Sequence, residues 1–203
     1  MGIGKEQVKG EKENMLRNEL IEYCAPTLAG IKTGNMFTIR DYPCDVMDQI
    51  RELNRILTPK GLRLIPIKKT EKIMILYLYR PDLLTIDLKN PCAKKILKTK
   101  GYSCGNDNCC VAELVKHLSS DESFPHEIGL FLGYPPEDVA GFMNDPRKGV
   151  KCCGCWKVYG NVGEAQKFFE KIRKCNSIYN REAKCGRPLE SLIVDAKALR
   201  FAV

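Results

Sequence analysis

Cys24, His126 and Glu127 offer the residue types of a nucleophile, a base and a carboxylate. A thiol becomes a nucleophile when a neighbouring base or a positive potential favours the thiolate, and a helix N-terminus supplies part of that potential. Cys24 lies two residues before Pro26, a first-turn residue if a helix starts there. His126 follows Pro125 at the start of a predicted helix, where the dipole disfavours imidazolium and keeps the ring available as a base. Glu127 is next to it, but adjacent helical residues point about 100° apart, so Glu127 assists from a neighbouring position rather than completing a strict triad. The competing reading makes Cys24 a small core residue on the face of Leu16, Leu20 and Thr27, and His126 a hydrogen-bonding residue near a cap.

A second chemistry belongs to the cysteines. Eleven of them occur, among them Cys104, Cys109, Cys110, Cys152, Cys153 and Cys155. An odd count with no export signal argues for free thiols, redox thiols or metal ligands rather than a disulfide framework. Structural zinc sites favour pairs spaced C-x2-C, and neither Cys104-x4-Cys109-Cys110 nor Cys152-Cys153-Gly154-Cys155 has that spacing. A zinc or iron–sulfur site on Cys104, Cys109, Cys110, Cys152 and Cys153 would require the two loops to meet. Cys175 lies on the apolar stripe of a long helix and reads as core.

Trp156, Lys157 and Tyr159 form a third group. If Cys155–Tyr159 is a strand, Lys157 and Tyr159 share one face and could grip an anionic or planar ligand, with Trp156 and Val158 on the other. The bland reading is a solvated face over a buried tryptophan. Phosphate loops and dinucleotide fingerprints are absent from the sequence. A helix-turn-helix spacing runs through Gly129, Gly133 and Val139. Its second helix, however, would open Pro135-Pro136-Glu137-Asp138 and carry no Lys or Arg before Arg147, a surface unsuited to phosphate.

The elements that must position these residues follow from periodicity. An amphipathic helix runs from Glu11 through Leu16, Leu20 and Leu28, either kinked at Pro26 or split there into two helices. Asn35–Arg40 reads as a strand, Asp45–Leu57 as a helix, and Leu62–Ile67 with Ile73–Tyr79 as an antiparallel hairpin at the sheet centre. Short helices are predicted for Pro81–Leu88 and Pro91–Leu97, and a further one for Cys109–Leu118. A helix over Pro125–Leu132, a Gly133-Tyr134-Pro135 corner and a helix over Pro136–Met143 come next. A long helix from Val162 ends at Gly186, and Leu189–Val194 is a candidate last strand. The fold class expected is α+β: one domain over 11–203, with a small, mostly antiparallel sheet of four or five strands and helices around it. Residues 1–10 are expected to form a polar tail.

Composition sets the outer limits. The chain has 203 residues, 44% hydrophobic and 29% charged, with a formal charge of +8 dispersed along its length. Dispersed charge reads as a solvated surface, which disfavours nucleic acid but leaves a small anionic ligand or a redox partner protein open. No apolar run is long enough to span a membrane, and the start lacks the apolar core of a secretory signal, so a cytoplasmic location is expected.

Four stretches carry a resemblance: Cys24-Ala-Pro-Thr-Leu-Ala-Gly-Ile-Lys-Thr33, Tyr77-Leu-Tyr-Arg80, Phe124-Pro-His-Glu-Ile-Gly-Leu-Phe-Leu-Gly-Tyr-Pro135 and Gly154-Cys-Trp-Lys-Val-Tyr159. Through them the chain, from about Leu16 to Val194, resembles domain-of-unknown-function family 3793 of anaerobic bacteria. The resemblance implies a habitat and no established activity. Members of that family commonly carry an aromatic residue at the position of Cys155. The residues themselves point to a thiol-dependent enzyme or small-ligand binder built on Cys24, His126 and Glu127. Beside it stand a noncatalytic metal-binding or redox protein and a helix-turn-helix regulator.

Overall fold

The computed structural model describes residues 3–103, 107–119 and 124–199. Helix α1 spans Ile3–Leu28, so residues 3–10 are helical, and it continues through Pro26 as one element. Of the two outcomes at Pro26, the unsplit helix is the one that forms. After α1 come β1 (Gly34–Arg40), α2 (Val46–Leu57), β2 (Arg63–Lys69) and β3 (Ile73–Tyr79). Four helices follow: α3 (Pro81–Leu88), α4 (Pro91–Thr99), α5 (Asp107–Ser119) and the single turn α6 (Ile128–Phe131). Helix α7 (Pro136–Asn144), strands β4 (Cys152–Cys153) and β5 (Lys157–Val158), and the long α8 (Val162–Lys184) precede two short helices, α9 (Leu189–Leu192) and α10 (Ala196–Leu199).

The expected sheet of four or five strands is instead two antiparallel sheets, one of three strands in the order β1-β3-β2 and one of two, β4-β5. Strand β3 is central, pairing Gly34 with Tyr79 on one side and Arg63 with Tyr79 on the other. Strand β2 is therefore an edge, not part of the centre. That position tolerates Pro66, which has no N–H to give a ladder, and the register slips between Pro66 and Lys68.

Alternation along β3 explains how the layers form. Met74, Leu76 and Leu78 point into a core shared with α1, α2, α8 and α9, whereas Tyr77 and Tyr79 point into a second core shared with α3 to α7. Both faces of the sheet are buried, which is why Ile73–Tyr79 has no charged residue. Each large apolar side chain so buried contributes about 2 kcal/mol. A third, smaller cluster of Val158, Ala165 and Phe169 fixes the β4–β5 hairpin to α8.

Two local expectations fail for identifiable reasons. The segment Leu189–Val194 holds the helical turn α9 (Leu189–Leu192) and no strand: Leu189, Leu192 and Ile193 are used as apolar plugs against the first core. The helix expected over Pro125–Leu132 shrinks to Ile128–Phe131, because Pro125 and His126 lie in the turn leading to it. The glycine–proline corner does form, with Gly133 at φ 74° and Pro135 immediately before α7.

Candidate functional site

The first expected site is not assembled by the fold. Cys24 lies inside α1 rather than ahead of a helix, is fully buried among the residues of the first core, and burial pushes its thiol well above the ordinary range. Its neighbours there include Leu16, Leu20 and Leu28. His126 and Glu127, on the far side of the sheet, diverge from one another. Glu127 is buried, accepts a hydrogen bond from the Tyr102 hydroxyl at 3.2 Å, and lies 3.2 Å from Nδ1 of His117. Burial and then the Glu127 carboxylate push the Tyr102 phenol up. The histidine that Glu127 orients is therefore His117, which the sequence reading did not single out.

His126 is exposed and faces a cleft of about 490 Å³. One wall comes from Phe124, Ile128, Val139 and Phe142, and the other from Tyr134 and the tip of the β4–β5 hairpin, Cys153 to Lys157. This volume suits a small molecule, for which clefts of roughly 300–1,000 Å³ are usual. The His126 ring meets Phe142 edge-on with centroids 5.0 Å apart, and Nζ of Lys157 sits 5.7 Å from the same Phe142 centroid. Lys157 is steadied by donating to the Pro146 carbonyl at 2.8 Å. Two groups able to carry positive charge thus flank one aromatic ring.

The opposite wall is rigid. Trp156 stacks on Tyr134 at 4.8 Å, meets Phe169 edge-on at 4.6 Å and donates Nε1–H to Asp138 Oδ2 at 2.7 Å. The other oxygen of buried Asp138 accepts the backbone N–H groups of Tyr159 and Gly160, each at 2.7 Å. A residue read as the acidic start of a recognition helix is instead the clamp that ties α7 to the hairpin. Strand β5 holds Lys157 and Val158 but not Tyr159, whose ring packs over Gly141 of α7 rather than sharing a ligand face with Lys157.

Behind Tyr134 lies Lys32, 7% exposed, with Nζ 5.1 Å from the Tyr134 centroid. Burial pulls its amine down to about 8, opposed by Cys24 and Cys155, and burial pushes the Tyr134 phenol up to about 12. A lone cation after the apolar Leu28-Ala29-Gly30-Ile31 run was the signal for Lys32, and the Gly-Tyr-Pro corner was the signal for Tyr134. Neither states which surface the other chain segment brings.

Among the described residues no group of three or more His, Cys, Asp or Glu side chains is placed to hold a metal ion. Cys109 is exposed and Cys110 buried on α5, while Cys152 and Cys153 lie on β4. Cys104 lies outside the described residues. Also among the described residues, no helix is long and apolar enough to cross a membrane. No curated protein and no solved structure matches the chain. A family model described as protein of unknown function (DUF3793) does match, over residues 20–193. That span takes in both sheets, the cleft and all of the two larger cores but Leu16, and the chain belongs to this DUF3793 family.

Proposed function

We propose that the chain binds a small planar ligand carrying an anionic group, in the cleft between Phe142 and Trp156. The observation that carries this reading is the pairing of His126 and Lys157 about the Phe142 ring, opposite a tryptophan already fixed by Asp138. Aromatic walls favour a flat apolar body, and a few convergent polar groups orient it. A cation at the rim favours a carboxylate, sulfonate or phosphate on that body. Thiol chemistry at Cys24 has no part in this reading, since its sulfur is buried in the other core.

Calorimetric titration with naphthoate and with neutral naphthyl methanol tests it. Naphthoate is expected to bind more tightly, with the preference reduced about tenfold, on the order of 1.4 kcal/mol, in Lys157→Ala. Phe142→Ala is expected to weaken both ligands alike. Absence of binding by both compounds, or binding indifferent to Phe142→Ala, overturns the assignment.

A further inference from the structure

The cleft carries a second feature that small-ligand binding does not use. Cys153 and Cys155 are both free, both exposed, and both line it. They flank Gly154, where the chain bends and Gly154 N–H donates to the Trp156 carbonyl at 3.0 Å. Residues two apart in a chain have Cα atoms at most about 7 Å apart, and a bend shortens this into the range of roughly 4.4–6.8 Å that a disulfide spans. Glycine between them lets the bend lie against α8, because a Cβ on Gly154 would stand 2.2 Å from Cε2 of Phe169. Cys152 behaves differently. It packs against the Val158–Phe169 cluster, as expected for strand neighbours that point to opposite faces.

We infer that Cys153 and Cys155 form a redox-active dithiol that exchanges with low-molecular-weight disulfides bearing carboxylates, bound in this cleft. The substrate class rests on the anion-binding reading above, while the dithiol rests on the hairpin alone. The Cys153 thiol loses its proton to solvent, and its sulfur attacks one sulfur of the small disulfide. That S–S bond breaks, and the departing thiolate takes up a proton. The Cys155 thiol then loses its proton and its sulfur attacks Cys153 Sγ, expelling the second thiolate, which is protonated in turn. The protein pair is oxidised by two electrons and the small disulfide is reduced to two thiols. Burial pushes the Cys155 thiol up, whereas Lys32 and Arg173 act on it in the direction that favours the thiolate needed for ring closure.

Glutathione disulfide is the probe. The full chain and a Cys152→Ser variant are equilibrated with glutathione at graded redox poise, quenched with iodoacetamide, and the peptide holding residues 152–157 is weighed. The Cys152→Ser peptide is expected to become lighter by two hydrogen atoms and to resist alkylation at both remaining sulfurs. Cys155→Ser is expected to stop at the mixed disulfide on Cys153. Independent glutathione adducts on both sulfurs of Cys152→Ser, or an internal disulfide that requires Cys152, overturns the dithiol. Naphthoate titration of a Cys153→Ser/Cys155→Ser double variant separates the two readings. Retained binding there leaves the cleft assignment standing whatever the cysteines do. If the dithiol forms but its oxidation by neutral hydroxyethyl disulfide is as fast as by glutathione disulfide, the carboxylate preference is wrong.

Discussion

At the scale of single residues, the least comfortable group is the Lys32 amine. Its value of about 8 lies below the ordinary lysine value, so the folded chain holds the ammonium at a cost. Below pH 8 both folded and unfolded chains carry the proton and the cost is constant. Between pH 8 and the unfolded value the unfolded chain binds more protons, so stability rises with pH across that window. Lys32→Met is expected to raise stability at pH 7 by roughly 3 kcal/mol and to lose most of that advantage by pH 10. Denaturant unfolding of both proteins at the two pH values measures it, and a pH-independent difference refutes the charge explanation. Asp138 presents the opposite case. Its carboxylate accepts from three donors, and an amide there would turn an NH₂ toward an N–H. Asp138→Asn is expected to cost about 2 kcal/mol in unfolding experiments. It should also red-shift the emission of Trp156, the chain's one tryptophan. Neither role could be read from sequence. A buried lysine and a solvated one have the same letter, and Asp138 lies 18 residues from the indole it holds.

At the scale of elements, local pattern was a good guide wherever an element spans several periods. β1, α2, the β2–β3 hairpin, α3, α4 and α8 lie where the apolar spacing put them, because both faces of β3 and one stripe of each helix meet a core. Where an element is one turn or two residues long, neighbouring packing overrides the pattern, as in α6, α9 and β4–β5. The helix-turn-helix spacing has the same origin. A Cβ on Gly129 would stand 2.8 Å from Cγ2 of Val139, so that glycine lets α6 and α7 touch. Gly154 does comparable work for the hairpin against α8. Gly154→Ala is expected to destabilise the chain by about 1–3 kcal/mol through overpacking on Phe169. A smaller residue at 169 should relieve that contact. Combining Gly154→Ala with Phe169→Leu in a double-mutant cycle is expected to give a loss smaller than the sum of the single losses. Strict additivity would mean that Phe169 is not what the new methyl meets.

At the scale of the molecule, the four stretches that carry the family resemblance are joined to one another. The Tyr77 hydroxyl donates to the Phe131 carbonyl, linking the central strand to the turn that feeds the cleft. Tyr134 stacks on Trp156, linking that turn to the hairpin. Arg80 at the end of β3 closes the set. Its backbone N–H donates to Thr33 O, Nε donates to Thr27 O, and Nη2 donates to Leu28 O and Val194 O. The guanidinium thereby caps the last carbonyls of α1 and fastens the segment after α9 onto them, with Val194 N–H returning a bond to Leu28 O. What looked in the sequence like candidate site text is in large part scaffold: the first two stretches do not reach the cleft, while Phe124, His126, Ile128 and Tyr134 of the third and Gly154 to Lys157 of the fourth line it. Arg80→Lys preserves the charge but replaces a planar fork with a single ammonium that cannot serve three carbonyls from two nitrogens. Its expected cost is on the order of 3 kcal/mol, since it removes charge-assisted bonds to Thr27 O and Leu28 O, which keep only the N–H groups of Gly30 and Val194, and the guanidinium's bond to Val194 O. Hydrogen exchange distinguishes this clamp from general destabilisation: the Val194 amide should lose protection well before amides in the centre of β3. If both lose protection together, Arg80 does not hold the C-terminal segment as a separable unit.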